Sequence, residues 1–309
     1  MGILLNLKKN HNISVIAPGY PVSPQDFQGG IAYLQNHRMK PLFPEDIIGD
    51  HFLHAQDDEK RLEFLKEALF TGESEVVWAM RGGYGSNRLL PGLAKLKKPR
   101  HKKLVIGISD ITSLHVFLHQ EWNWPTWHGP LLDRCGKGHY PEDLEQELWL
   151  LLQKKKKQVK FQGLMPLNAS AESLKKIESK VVGGNLTVLQ STLGTPWQIQ
   201  ARNKILFIED LGERGYRIDR MLEQMRQARV FNGCKALLIG HFLGGAEPST
   251  GKDNFDQVFA RWAADLKLPV FKNLEAGHDH RQRVLPLNTK AVLSKSKNDF
   301  HLIVESGLK

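Results

Sequence analysis

Cysteine is nearly missing from this chain: Cys135 and Cys234 are the only two among 309 residues. Two thiols cannot staple a chain of that length, which excludes a disulfide framework and fits a reducing compartment. Long apolar runs are missing as well. Stretches such as Val76 to Met80 and Leu148 to Leu152 fall far short of the ~20 residues that a membrane span requires. At the start, Met-Gly-Ile-Leu-Leu-Asn-Leu-Lys-Lys places its basic pair after a very short apolar patch. A secretory signal carries charge first and then roughly 7–15 apolar residues. The expectation is a cytoplasmic protein with no membrane partner.

Acidic charge is in short supply too, with 33 Asp and Glu against 43 Lys and Arg for a net +10. Such a balance suits nucleic acid, a membrane surface or acidic small substrates. The excess is local, however. Lys95, Lys97, Lys98, Arg100, Lys102 and Lys103 form one cluster and Lys154 to Lys157 another. Neither is interleaved with aromatics for base stacking, and no helix-turn-helix, RNP or zinc-finger pattern occurs. Both clusters are therefore expected to be solvated faces, with no nucleic-acid partner. A basic nucleic-acid-binding protein stays as the alternative of another class.

What is present fits a soluble globular protein, with 41% hydrophobic and 25% charged residues, and the length exceeds one ordinary core. Up to about residue 152, short apolar runs alternate with amphipathic stretches. Ile13 to Ala17, Glu75 to Met80 and Leu104 to Ile108 read as strands. Gln25 to Asn36, Asp57 to Phe70 and Ile111 to Glu121 read as helices, although Gly29-Gly30 weakens the first. That alternation predicts an α/β domain with a mostly parallel sheet, whose sites form at the carboxyl ends of the strands. Residues 153–180, rich in lysine and scattered charge, are expected to be a linker or crossover. Residues 181–309 are expected to form a second domain.

Three separated segments carry chemistry. Ser109 follows a strand and precedes a helix, the setting of a nucleophile elbow, but Ser109 or Asp110 would also serve as a plain helix cap. Gly82, Gly83 and Gly85 let backbone approach a ligand closely. Gly83 and Asp110 are then candidates for two backbone donors of an oxyanion hole. A phosphate loop or a tight turn competes for that stretch, which lacks the Lys-Ser/Thr ending of a P-loop and the dinucleotide spacing. Glu209 ends the apolar run Lys204 to Ile208, where a carboxylate can fix a histidine tautomer. Asp210 and Glu213 are its rivals. His278 lies in a loop ahead of Leu285-Pro286-Leu287, with His280 as its rival. Serine, acid and histidine together make an activated hydroxyl, so a hydrolase leads.

A metal is not expected. His115 and His119 are spaced i, i+4, but Val116, Phe117 and Leu118 lie between them, without the glutamate of a zinc-protease helix. Trp122, Trp124 and Trp127 are read as packing rather than as base-stacking groups.

These motifs resemble, in order and over nearly the whole chain, the serine-type LD-carboxypeptidases, also called muramoyltetrapeptide carboxypeptidases. The resemblance rests on Val15-Ile16-Ala17-Pro18, Arg81-Gly82-Gly83-Tyr84-Gly85, Gly107-Ile108-Ser109-Asp110, His128-Gly129-Pro130, Gly183-Gly184-Asn185-Leu186, Glu209-Asp210 and Gly277-His278. It implies a Rossmann-like parallel-sheet amino-terminal domain, a smaller β-rich carboxy-terminal domain, a site between them and a homodimer. It maps a triad onto Ser109, Glu209 and His278 and oxyanion donors onto the Gly83 and Asp110 backbone, with no cofactor. Members release terminal D-alanine from the L-centre of a diamino acid in cytoplasmic muropeptides, in cell-wall recycling. Arg81 is a candidate partner for the terminal carboxylate. Asn288 stands where the family usually has glycine, and Gly19-Tyr20 follow Pro18. The chain is also similar to a related branch, the microcin-immunity peptidases that hydrolyse aminoacyl-nucleotide toxins.

Overall fold

The structure, a computed structural model, describes every residue except Met1, Asn6, Lys8, Lys9 and Asn298. The amino-terminal stretch weighed above as a signal segment falls partly on these four early positions, and to that extent lies outside the described residues. The chain forms two compact units, Met1–Lys157 with Gly307–Lys309, and Gln158–Ser306.

Unit 1 is built on parallel strands β1 (Asn12–Ile16), β2 (Lys40–Leu42), β3 (Val76–Ala79), β4 (Leu104–Gly107) and β5 (Thr126–His128). Their spatial order is β5-β4-β3-β1-β2, and each neighbouring pair is parallel. Every residue of β3 and β4 is buried, which explains their unbroken apolar runs: a sheet covered on both faces has no polar side to alternate with. Helices α1 (Pro24–Asn36), α2 (Asp58–Phe70), α3 (Leu90–Ala94), α4 (Thr112–Gln120), α5 (Leu132–Gly136) and α6 (Glu142–Leu152) connect and follow the strands. Strand order reverses between β1 and β3, and in such sheets ligands bind outside the strand ends at that reversal.

The first helices begin where side chains satisfy their orphan amides. The Ser23 hydroxyl accepts the Asp26 N–H at 3.1 Å ahead of α1, and the Asp57 carboxylate accepts the Lys60 N–H at 2.8 Å ahead of α2. The glycine pair that counts against α1 on propensity is there for packing. A Cβ on Gly136 in α5 would come within 2.3 Å of Gly29, and one on Gly30 within 2.9 Å of the Met80 sulfur.

Unit 2 is a closed barrel of strands β6 (Gln158–Pro166), β7 (Lys176–Asn185), β8 (Ile205–Leu211), β9 (Ala236–Leu243), β10 (Val270–Lys272), β12 (Lys290–Ser296) and β13 (Asp299–Glu305), with β11 (Leu285–Leu287) preceding β12. The barrel order is β10-β6-β13-β12-β7-β8-β9. Parallel pairing from β7 through β10 is supplied by crossovers containing α8 (Leu186–Ser191), α9 (Gly215–Gln227) and α10 (Phe255–Asp265). On α9 the buried face is Ile218, Met221, Leu222 and Met225, as their spacing predicts.

The expected linker over 153–180 is corrected here. That stretch holds β6, the short α7 (Ala169–Glu172) and the first half of β7. Val159, Phe161 and Leu164 on β6 are buried while the residues between them are exposed. Val159 and Phe161 keep the two-residue period of a strand with one wet face, Leu164 returns to the buried side after an irregularity against β13, and Gln158, Lys160 and Gln162 on the wet face disguise it. The basic clusters also need correction, because Lys103 is buried and its Nζ donates to the Ala68 carbonyl at 2.7 Å at the end of α2. Burial holds that ammonium down to about 8 from its ordinary 10.5. Trp122, Trp124 and Trp127 are core, each no more than 3% exposed. Among the described residues no helix is long and apolar enough to cross a membrane.

Candidate active site

Ser109 sits in unit 1 at the carboxyl end of β4, between extended Ile108 and the helical turn Ser109–Ile111 that opens α4. Its φ is +64°, a left-handed conformation that costs a residue with a Cβ and is kept only where the surroundings impose it. The surroundings are named groups. The Gly107 carbonyl just before the turn accepts the His115 Nε2–H at 2.8 Å and the Gly129 N–H at 3.2 Å. Because a carbonyl only accepts, His115 carries its proton on Nε2, and burial holds it down to about 3, so it stays neutral. The reading of Ser109 or Asp110 as a helix cap is overturned, since neither side chain makes a capping hydrogen bond there.

Opposite Ser109 runs the glycine loop that follows β3. A Cβ on Gly82 would lie 2.8 Å from the Ser109 Cβ and 3.1 Å from its Oγ, so only glycine fits. Gly83 has φ +97°, and a Cβ there would collide with the Tyr20 ring. The phosphate-loop reading fails on hydrogen bonds: the Gly85 and Ser86 amides that would cradle an anion already donate to the Asp110 carboxylate, at 3.2 and 2.8 Å. This side-chain role for Asp110, in place of a helix cap, is one that the sequence concealed.

In unit 2, Glu209 and His278 meet. His278 Nδ1 lies 2.5 Å from Glu209 Oε2, with Glu209 fully buried and His278 nearly so. The contact implies an Nδ1–H donating to the carboxylate, which leaves Nε2 as the acceptor nitrogen. Glu209 lies within β8 rather than after it, because the strand runs on to Leu211. His278 is delivered by a loop tied to β9, where the His241 N–H donates to the Ala276 carbonyl at 2.9 Å and the Leu274 N–H to the Ile239 carbonyl at 3.2 Å. Gly277 makes the approach possible. With φ +130°, it brings its Cα so near that an added Cβ would sit 3.1 Å from Glu209 Oε2.

The rivals for these roles are occupied elsewhere. His280 is mostly exposed and pairs with Asp279 at 2.7 Å. Glu213 faces Arg217 at 3.1 Å. The Asp210 oxygens accept the Asn185 amide at 2.9 Å, the Leu211 N–H at 2.8 Å, and the Thr187 N–H and hydroxyl at 2.9 and 2.8 Å. Burial first, and then the neighbouring Glu209 charge, push the Asp210 carboxyl up to about 6. Asn185 also caps α8 through the Val188 N–H at 3.1 Å. The Gly183-Gly184-Asn185-Leu186 stretch thus braces the strand that carries Glu209, with Gly183 pressed so close to the Phe207 carbonyl that no Cβ fits.

Arg81 precedes Gly82 and is half-buried. The Lys137 contact, with a smaller contribution from the Arg81 charge, lowers the Asp26 carboxyl, whereas at Asp133 burial outweighs Arg81 and pushes the carboxyl up. The i, i+4 histidine pair does not present two ligating nitrogens to one point: His115 Nε2 is spent on Gly107, and His119 Nε2 lies 2.8 Å from the Thr126 hydroxyl. Among the described residues no cluster of three or more His, Cys, Asp or Glu side chains fits a metal ion.

Two family models match the chain, the LD-carboxypeptidase N-terminal domain over residues 13–129 and the LD-carboxypeptidase C-terminal domain over residues 178–293. A Rickettsia prowazekii protein named as a carboxypeptidase is 41% identical over 256 residues, 81% of this chain and 78% of the relative. The murein tetrapeptide carboxypeptidase of Pseudomonas aeruginosa is 27% identical over 290 residues, 92% and 94% of the two chains. Among solved structures, the muramoyltetrapeptide carboxypeptidase from Oxalobacter formigenes superposes with a TM-score of 0.79 at 27% identity, covering 95% of this chain and 98% of that one. The microcin C7 self-immunity protein MccF in complex with glutamyl sulfamoyl guanosine shares the fold, with a TM-score of 0.82 at 20% identity over the whole of both chains. Fold and matches together define a carboxypeptidase. The chain belongs to the LD-carboxypeptidase family.

Proposed function

We propose that the protein is a serine-type LD-carboxypeptidase that releases the terminal D-alanine of murein tetrapeptides, with Ser109 as nucleophile, His278 as general base and Glu209 as the group that orients it. In this reading the Ser109 hydroxyl attacks the amide carbonyl next to D-alanine while His278 Nε2 takes its proton. Two backbone amides, Gly83 N–H and Asp110 N–H, hold the negative oxygen of the tetrahedral intermediate. Collapse breaks the C–N bond, and His278 returns the proton to the departing amine. Water, deprotonated by the same imidazole, then cleaves the acyl-serine ester and frees the shortened peptide. The half-buried Arg81, beside Gly82, is assigned to the terminal carboxylate. The proposal includes work in the cytoplasm, supported by the scarcity of cysteine as well as by the family resemblance, and a homodimer, drawn from the resemblance alone.

The observation that carries this reading is the left-handed Ser109 between β4 and α4. A serine has no structural need for φ +64°. The conformation supports a hydroxyl held on a sharp strand-to-helix turn beside backbone donors. The Glu209–His278 contact supports the choice of base. The names of the Pseudomonas and Oxalobacter relatives support the substrate class.

Incubation of the purified protein with a murein tetrapeptide, followed by mass spectrometry, tests it. D-alanine and the tripeptide are expected, and an aminoacyl sulfamoyl adenosine supplied in parallel should be cleaved slowly or not at all. The reverse preference would move the protein to the toxin-hydrolysing branch.

A further inference from the structure

We propose that the Asp110 carboxylate is a positioning residue that sets the geometry of the oxyanion donors by clamping the glycine loop to the serine turn. The proposal rests on the serine-hydrolase reading above and concerns a side chain to which that reading gives no part.

Asp110 is 3% exposed. Its Oδ1 accepts the Gly85 N–H at 3.2 Å, and its Oδ2 accepts the Ser86 N–H at 2.8 Å and the Ser86 hydroxyl at 2.6 Å. The turn after β1 closes on the same atom, since a Cβ on Gly19 would come within 2.9 Å of Oδ2. That turn also reaches the glycine loop directly, through the Tyr20 N–H to the Gly82 carbonyl at 3.0 Å. Segments following β1, β3 and β4 therefore meet at one carboxylate. Burial pushes its carboxyl up, while the Ser86 and Gly85 hydrogen bonds and the nearby Arg61 charge act the other way. The Arg61 guanidinium, itself 2% exposed, is fixed by the Pro18 carbonyl and the Asp58 carboxylate.

The loop needs such a clamp. Gly83 and Gly85 both lie at positive φ, +97° and +135°, and glycine offers no side chain to hold a peptide plane in one direction. Fixing Gly82 through Tyr20 and residues 85–86 through Asp110 restrains the Gly83 amide from both sides. The Asp110 main chain offers one oxyanion donor while its side chain aligns the loop that offers the other, so the spacing of the two donors is set by a single residue. Oxyanion donors work by being aimed before charge develops, and a misplacement of about 1 Å costs roughly 100-fold in rate. A merely structural carboxylate would lower stability without separating turnover from substrate binding.

The test compares Asp110→Asn and Ser86→Ala with the parent protein. In the asparagine variant an NH₂ group faces one of the three donors. We expect kcat for D-alanine release to fall about 100-fold, with a melting temperature that leaves the protein folded under assay. Calorimetric affinity for intact tetrapeptide, measured in a Ser109→Ala background, should change less than about threefold, because ground-state binding does not require the donors to be aimed. Ser86→Ala removes one donor to the clamp and is expected to lower kcat by about 3- to 10-fold. The two changes together should cost less than their product, since they break one shared contact. If Asp110→Asn does not fold, Ser86→Ala decides alone. Wild-type kcat in whichever variants fold, alongside a Ser109→Ala protein that is dead, overturns the clamp while sparing the parent reading. Losses of kcat matched by equal losses of tetrapeptide affinity overturn it too. D-alanine release that persists in Ser109→Ala overturns the parent reading and the clamp with it.

Discussion

Glu209 grips His278 through a 2.5 Å contact between carboxylate Oε2 and imidazole Nδ1, both side chains being buried in unit 2. A carboxylate only accepts, so it selects the tautomer with Nδ1–H. Glu209→Gln keeps the shape but offers an NH₂ that favours the wrong tautomer. We expect kcat to fall by about 10³- to 10⁴-fold with little change in fold. Steady-state kinetics with the tetrapeptide, together with circular dichroism, check this. A loss below tenfold would remove Glu209 from the role.

Gly277 makes that grip possible, and its φ of +130° admits no side chain without strain. Gly277→Ala is expected to push the histidine loop away from Glu209 and lower kcat by about 100-fold. Stability should drop by about 1–3 kcal/mol. Denaturant titration and kinetics on the same preparation separate the two effects.

Helix α1 meets α5 over bare backbone at Gly29 and Gly136. Gly136→Ala must open that contact, with an expected loss of about 1–3 kcal/mol from overpacking. The rate per folded molecule should fall less than in Gly277→Ala, because the contact reaches the glycine loop only through Met80, whose carbonyl accepts the Asp133 N–H of α5 at 3.0 Å. Urea melts and active-site-normalised rates measure both.

Lys103 gives a pH signature. Its ammonium is depressed from 10.5 to about 8 in the folded chain because it is buried. The unfolded chain therefore holds the extra proton between about pH 8 and 10.5, and stability rises with pH across that window. The rise is expected to be about 1–3 kcal/mol, less than the full shift implies because the Ala68 carbonyl favours the charged form. Lys103→Met should abolish this contribution. Comparing urea midpoints of both proteins at pH 7.5 and pH 10.5 tests it, and parallel pH profiles would contradict it.

Much of this was legible in the sequence, for a physical reason in each case. Buried parallel strands announce themselves as β-branched runs, so β1, β3 and β4 fall where the apolar stretches put them. Helix α2 follows from leucine spacing and an acidic first turn behind Asp57. The strand–serine–helix setting of Ser109 is local, and local order is what a sequence displays best. The barrel strand β6 was hidden because its outward residues are lysine and glutamine, which look like linker. The Asp110 clamp was hidden because its partners are 24 and 25 residues away, and adjacent sequence suggested a helix cap instead. The bracing of Asp210 by Asn185 and Thr187 is equally non-local. Only Ser86 after the glycines and Thr187 after Gly-Gly-Asn-Leu hinted that hydroxyls were placed there for a purpose.

Hydrolysis by this route passes through a covalent bond to Ser109. A tetrapeptide analogue ending in a D-lactate ester, mixed with the protein and acid-quenched within the first turnovers, lets the acyl-enzyme be caught by mass spectrometry and mapped by digestion. The expected result is a tripeptidyl adduct on the fragment that contains Ser109, absent from Ser109→Ala, whose kcat falls by about 10³-fold or more. An adduct on another residue, or a Ser109→Ala protein that turns over at the wild-type rate, would contradict the account.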